Sequence, residues 1–367
     1  MQDEALDDGG KFFLGGYFCH DRNIRRFAAE VKADVLSTTA HETWQVSRPI
    51  RRLGECRASE VRSFPLWPPS SSSKLIRVDV FGPCTGSPAS RPQWRLRMPA
   101  SDKEFVGSIP ELYDRLLVPM IFEPYARDLA QRAKALGPRD LLETAAGTGA
   151  VTRALSSALG SDTRIVATDL NEPMLERAKS QMPSGTAITW RQADALNLPF
   201  DNASFDVVAC QFGAMFFPDK PKGYSEARRV LKPGGRFLFS MWGRIEDNEF
   251  ADVVTQALAE VFPADPPRFL ARTPYGHYAA DPIRADLAVA GFSKIEIDDV
   301  RLQSRANAPH DPAIGFCQGS PLRGEIEARG GIGLDAATEH AASAVARRFG
   351  GGAIEGRIQA LVISAAA

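Results

Sequence analysis

The sequence predicts a mainly parallel α/β sheet covered by helices on both faces, and three observations carry that prediction. From Ser101 onward, short apolar runs alternate with runs of helical period, which is the rhythm of strands joined by helical crossovers. The runs are punctuated by ordinary turn residues, as at Gly147-Thr148-Gly149 and Lys232-Pro233-Gly234-Gly235. Three acids, Glu143, Asp169 and Asp194, each end a run read as a strand. That is the edge where open α/β sheets bind ligands.

The elements follow in order. "DLLET" reads as a strand, "AVTRALSSAL" as a helix and "RIVATD" as a strand. "EPMLERAKSQM" is helical, with Pro173 in its first turn, where a missing N–H costs nothing. "AITWRQAD", "FDVVACQF" and "GRFLFSMW" are further strands, and "KGYSEARRVL" is a helix that "KPGG" stops. Helices follow near "EFADVVTQALAEVF" and "PIRADLAVAG", then the strands "KIEIDDVRL" and "RIQALVIS". Ahead of them, residues 98–138 read as cap helices, with "SIPELYDRLLVPMIFEPYA" folding over the ligand and Tyr113 facing in. An amphipathic docking helix is the plainer reading of the same stretch.

Composition sets the limits. The 367 residues suit one large α/β domain with an appendage, and the formal charge of −1 gives no global field for nucleic acid or an anionic surface. No apolar run reaches the ~20 residues of a membrane helix, and the acidic "MQDEALDDGG" is wrong for a leader peptide. The expectation is a cytoplasmic protein without an integral membrane segment. Cys19, Cys56, Cys84, Cys210 and Cys317 are scattered, so no metal site or disulfide framework is expected. Residues 1–97 differ from the rest, with the run Ser70 to Ser73, "LWPP" and many arginines. They read as an irregular or disordered extension, or as upstream codons ahead of a natural start at Met98. The domain proper is expected over 139–367, with an acceptor-side insertion at about 265–350.

The loop after the first strand selects the ligand. A dinucleotide fold wants G-x-G-x-x-G, but here the turn runs Gly147-Thr148-Gly149-Ala150-Val151-Thr152, without the third glycine. A carboxylate such as Glu143 about 6 Å from a phosphate costs on the order of 3 kcal/mol at an effective dielectric of 20. A pyrophosphate is a poor guest, and a ligand carrying an ammonium group is a good one. S-adenosylmethionine fits, having an amino group, a carboxylate, a sulfonium, a ribose and an adenine, and no phosphate. Asp169 stands where an acid accepts ribose hydroxyls, Leu170 and Met174 can cover the adenine, and Asp194 with the Ala195 N–H can pair with its edge.

These segments resemble the class I S-adenosylmethionine-dependent methyltransferases over residues 105–367, in the branch similar to ubiquinone/menaquinone-biosynthesis methyltransferases. "LLETAAGTG", "VATDLNEPML", "WRQADALNLPFDNASFDVV" and "ARRVLKPGGRF" carry the resemblance, in order and at ordinary spacing. It implies a doubly wound, Rossmann-like seven-stranded sheet of order 3-2-1-4-5-7-6 with an antiparallel last strand. It also implies a cofactor site built from Glu143, Ala145, Gly147, Thr148, Gly149, Asp169, Leu170, Met174, Asp194, Ala195 and Gln211. One departure is that Ala145 stands where the first loop glycine is usual; alanine is expected to fit if its φ stays negative.

Methyl transfer mainly requires holding the acceptor in line and excluding water. The expected acceptor wall is "QFGAMFFPD", with Phe212, Met215, Phe216 and Phe217, and Cys317 is expected at the same side. His277, in "RTPYGHY", is the candidate base, with Tyr113 as a second catalytic candidate. A nucleic-acid acceptor is not expected, because Gln211-Phe212-Gly213 stands where base-methylating enzymes carry N/D-P-P-Y/F, and Pro83-Cys84 lies upstream of the cofactor loop. The reading is methylation of a small, fairly apolar metabolite; assembly as a homodimer is left open. The alternatives are a non-catalytic binder of S-adenosylmethionine and, more remote, a nicotinamide-dependent oxidoreductase.

Overall fold

The computed structural model describes residues 107–183 and 185–367. The expectations for 1–97, and for the start of the cap at 98–106, lie outside the described residues. Seven strands form one sheet in the order β3-β2-β1-β4-β5-β7-β6. They are β1 Asp140–Glu143, β2 Arg164–Asp169, β3 Ile188–Gln192, β4 Phe205–Gln211, β5 Leu231–Trp242, β6 Ser293–Ala306 and β7 Ile354–Ala366. β1 to β5 pair in parallel, whereas β7 is antiparallel to both β5 and β6. The expected order and the antiparallel last strand are both present.

The middles of the central strands are continuous apolar runs, Leu141-Leu142, Ile165–Ala167 and Val207–Cys210, because both faces are covered. Alternation with period two sends Leu141, Ile165, Val207 and Ala209 to one core and Leu142, Val166, Val208 and Cys210 to the other. The first core is closed by α2 Glu123–Leu136, through Leu129 and Ala133, and by α3 Ala150–Ala158, through Val151 and Leu155. Ahead of α2 lie the short α1 Ile109–Leu112 and a wide π-helical segment, Tyr113–Phe122. Pro119 inside that segment has no N–H to donate. α4 Glu172–Ser180 and α5 Lys220–Val230 complete the crossovers, and α5 ends at Val230, just ahead of "KPGG".

Beyond β5 come α6 Glu249–Val261, the single turn α7 Phe269–Arg272 and α8 Ala280–Val289. Between β6 and β7 lie three helices that the apolar pattern does not announce: α9 His310–Gln318, α10 Leu322–Arg329 and α11 Gly333–Phe349. α11 buries Ala337, Thr338, Ala341, Ala342 and Val345. That face has helical spacing but is made mostly of small residues, so it has little hydrophobic contrast.

Candidate active site

The strand order reverses at β1: the chain steps outward to β2 and β3 on one side, then returns to place β4 on the other. The loops leaving β1 and β4 therefore diverge and open a crevice at the carboxyl edge. The first loop is tightly specified. Thr144 N donates to Ala209 O at 2.9 Å and Ala146 N to Thr168 O at 2.9 Å, so the loop is tied to strands on both sides. Between these two bonds Ala145 takes φ +54°, in the left-handed region. The expected negative φ is thus corrected: the chain must reverse between two fixed partners. An L-residue there stores strain of order 1 kcal/mol or more.

Gly149, at φ +82°, starts α3, and a Cβ on it would stand 3.0 Å from the Ala178 Cβ of α4. Gly213, after β4, faces the same loop. A Cβ there would lie 2.4 Å from the Ala145 Cβ and 3.0 Å from the Cys210 Sγ. The methyl at 145 and the missing side chain at 213 fit one another.

A cavity of about 760 Å³, counting the space open at its mouth, lies between these loops. Ala145, Gly147, Asp169, Leu170 and Met174 line one part, continuing to Asp194 and Ala195. Asp169 anchors this floor. One of its carboxylate oxygens accepts from Gly147 N at 2.8 Å and the other from Asn171 N at 2.8 Å. Burial raises its pKa, and these backbone donors pull the other way. Asp194 caps the next turn by accepting from Leu196 N at 2.9 Å. Gln211 closes the floor at the end of β4. Its amide Nε2 donates to Phe122 O at 3.1 Å, while its buried Oε1 has no partner among the described residues.

The other part is aromatic. Tyr113, Phe212, Phe216, Phe217 and Pro218 line it. Phe212 has φ +51° and stacks face to face on Trp242 at 3.7 Å. Tyr113 stacks on Phe122 at 4.9 Å, and burial, followed by the charges of Asp169 and Asp114, raises its pKa well above that of an ordinary phenol. Phe217 lies over Gly223 in α5, where a Cβ would come within 2.5 Å of the ring. Lys220 donates to Met215 O at 3.1 Å and Phe217 O at 3.2 Å, pinning the segment from behind.

Six expected site residues are not brought into the cavity lining. Glu143 is buried behind the loop, where Thr152 Oγ1 donates to its Oε2 at 2.6 Å; burial lifts its pKa to about 8. Thr148 points inward with its hydroxyl unpartnered among the described residues, and Gly149 serves helix packing. Met215 is fully buried in the core, and so is Cys317 on α9. No residue of 265–350 lines this cavity; the segment's buried side chains, among them Phe269, Tyr275 and Phe316, pack into the main core, with the Phe269 ring 6.4 Å from that of the lining Phe216.

His277 stands in an exposed turn after α7. Its imidazole is crowded by protein and close to the Lys220 ammonium, in that order of effect, and its pKa falls to about 4. Conversely, Asn171, Ala193, Leu196, Gly213 and Pro218 line the cavity without having been singled out in the sequence. All five lie within one or two residues of a singled-out position, which was the available signal.

Among the described residues no group of His, Cys, Asp and Glu side chains is placed to hold a metal, and no helix is long and apolar enough to cross a membrane. Residues 142–239 match the family model described as "Methyltransferase domain". The chain is 28% identical over 180 residues to the ubiquinone/menaquinone biosynthesis C-methyltransferase of Idiomarina loihiensis, covering 44% of this chain and 68% of that one. It is 35% identical over 154 residues to the demethylmenaquinone methyltransferase of Deinococcus radiodurans, covering 39% and 64% respectively. The matches to the first four curated relatives span 39% to 68% of those proteins' lengths. A solved structure, the YcgJ protein of Bacillus subtilis, is similar at a TM-score of 0.43 and 20% identity, covering 66% of this chain and 98% of its own.

Proposed function

We propose that this chain, a class I S-adenosylmethionine-dependent methyltransferase of the ubiquinone/menaquinone-biosynthesis branch, methylates a small, fairly apolar metabolite in the cavity between β1 and β4. The observation that carries the reading is the floor of that cavity. The Asp169 carboxylate keeps acceptor capacity beyond its two backbone bonds, and the buried Gln211 Oε1 is an acceptor without a partner among the described residues. Two such acceptors suit hydroxyl and ammonium donors and repel phosphate. The bound S-adenosylmethionine supplies an electrophilic sulfonium methyl.

The chain's own residues do the rest. Asp169 holds the ribose, Leu170 and Met174 cover the adenine, and Asp194 with the Ala195 backbone receives its edge. Gln211 takes the amino group. Tyr113, Phe212, Phe216 and Phe217 exclude water and receive an apolar acceptor. The titratable side chains in the lining are Tyr113, Asp169 and Asp194. Tyr113 stays protonated because its pKa is raised, so it orients by donating a hydrogen bond and does not act as a base. The chemistry therefore suits an acceptor that is already nucleophilic, either an acidic hydroxyl, a stabilised carbanion or a free amine.

The test is incubation with methyl-labelled S-adenosylmethionine and a fractionated pool of small metabolites, with products read by mass spectrometry. Labelled apolar products support the reading. Tight cofactor binding with no labelled product from any fraction supports a non-catalytic binder instead, and micromolar NAD affinity with no affinity for S-adenosylmethionine overturns both.

A further inference from the structure

We propose that Asp114 is a positioning residue for the cofactor, clamping the aromatic wall at Tyr113 onto the glycine loop and the adenine-side helix. Asp114 follows Tyr113 in the π-helical segment, yet its side chain is only 8% exposed. Two cations from different helices converge on it. Arg177 of α4 donates to Asp114 Oδ2 from Nε at 3.0 Å and from Nη2 at 2.8 Å. Arg153 of α3 approaches Asp114 Oδ1 with Nη2 at 3.7 Å. The same Arg153 guanidinium donates from Nη1 to Thr148 O at 2.8 Å, holding the loop whose Gly147 N–H is bound by Asp169.

One carboxylate thus joins three parts of the cavity rim: the segment that presents Tyr113, the loop through Gly147, and the helix whose first turn carries Met174. Here the second arginine uses its other nitrogen on the cofactor loop itself, so loss of Asp114 loosens the wall and the loop together. Asp114 touches no ligand in this role; it acts through Arg153 and Arg177. A partly buried, two-pronged carboxylate–arginine pair resists screening better than an exposed one but still weakens in salt.

This role rests on S-adenosylmethionine being the ligand of the cavity. The test uses the full chain and S-adenosylhomocysteine as probe, with release followed by stopped-flow tryptophan fluorescence and folding by thermal melting. Asp114→Asn is expected to release the probe about fivefold faster or more, and Asp114→Glu is expected to recover part of that. Raising the salt from about 0.05 M to about 0.5 M should speed release from the wild type and leave Asp114→Asn nearly unchanged. An unchanged release rate in folded Asp114→Asn, or equal salt dependence in both proteins, overturns the proposal. Should Asp114→Asn not fold, Arg177→Gln is held to the same two criteria. If the wild type binds no S-adenosylhomocysteine, the cofactor reading has failed, and the clamp is judged by hydrogen exchange on the ligand-free chain. Faster exchange of the 147–153 amides in the variant, measured against those of β4, then sustains it, and equal exchange removes it.

Discussion

The cavity's polar floor and its aromatic wall are adjacent, but different parts of the chain build them. On the floor the two acids are held by backbone N–H groups of turns, Asp169 by Gly147 and Asn171 and Asp194 by Leu196, while Gln211 donates to the carbonyl of Phe122. On the wall the rings are held by packing and the segment's carbonyls by one side-chain amine. Phe212 rests on Trp242, Phe217 on Gly223, Tyr113 on Phe122, and the segment's carbonyls on Lys220. A floor made from strand ends and turn chemistry can be written in a short motif. A wall made from tertiary packing is free to vary with the acceptor, because no local rule fixes it.

The largest effect expected of the floor is on stability. Glu143 lies in the floor's foundation, and burial raises its folded-state pKa from the ordinary 4.5 to about 8. Because the folded value is the higher one, this contribution is complete below about pH 4.5 and is lost as pH climbs through 8. The gap corresponds to on the order of 4 kcal/mol between pH 5 and pH 9. Urea melts of wild type and Glu143→Gln across that range measure it. The glutamine variant should lose most of the slope, and parallel curves for the two proteins would contradict the buried protonated carboxyl.

The junction of floor and wall gives the next effect. Gly213→Ala drives a methyl to 2.4 Å from the Ala145 Cβ, and overpacking of this kind costs about 3 kcal/mol. In an Ala145→Gly background the contact with the methyl at 145 is gone and only the tight approach to the Cys210 Sγ remains, so the double variant should recover at least about 1 kcal/mol relative to additivity. Strict additivity in denaturant melts would separate the two positions. Ala145→Gly alone should be stabilising or neutral, since it relieves the φ of +54° while loosening the unfolded chain.

Sequence reading follows the same division. The strands and the acids ending β1 and β2 follow from apolar runs and punctuation, because those features depend on local spacing, whereas the order of the sheet is what the family resemblance implies. Of the three acids, Asp169 and Asp194 line the cavity and Glu143 does not, since nothing in "LLETAAGTG" says which side of the loop its carboxyl takes. Met215 and Cys317 look like pocket residues in sequence but are core. An apolar side chain at a loop carries no mark of which neighbour will bury it. The helix Gly333–Phe349 is hidden for a similar reason, as its buried face is made mostly of alanines, Ala337, Ala341 and Ala342, which are only weakly apolar. The left-handed φ of Ala145 is set by hydrogen bonds to β2 and β4, which no count along the chain reveals.

Ligand binding separates floor from wall directly. Asp169→Ala should weaken S-adenosylmethionine by about 2–3 kcal/mol, as two hydroxyl donors lose a charged acceptor. Phe216→Ala, on the wall, should change that affinity by less than about 0.5 kcal/mol while raising the acceptor's KM. Calorimetry on both folded variants reads the contrast. Equal losses would mean that the cofactor spans both regions and that the division drawn between them is wrong.

The smallest effect is expected at His277. It lies outside the cavity lining, in an exposed turn, and protein crowding with the Lys220 charge holds its pKa to about 4. A base with that value is already neutral throughout pH 5–9, so it can produce no rise in rate near the ordinary histidine range of ~6–7. His277→Ala is accordingly expected to change turnover less than about threefold, where removal of a general base costs about 100-fold or more. With the acceptor returned by the labelled-metabolite screen, the pH–rate profiles of wild type and His277→Ala should superimpose over that range. A 100-fold loss with cofactor affinity intact would place His277 at the reacting atom. It would also show that the wall is completed, when the acceptor binds, by a turn that stands outside it in the ligand-free fold. If the profiles do superimpose, Tyr113 is the remaining catalytic candidate on the wall. Its raised pKa makes it a hydrogen-bond donor there, so Tyr113→Phe should lower kcat modestly without shifting the profile.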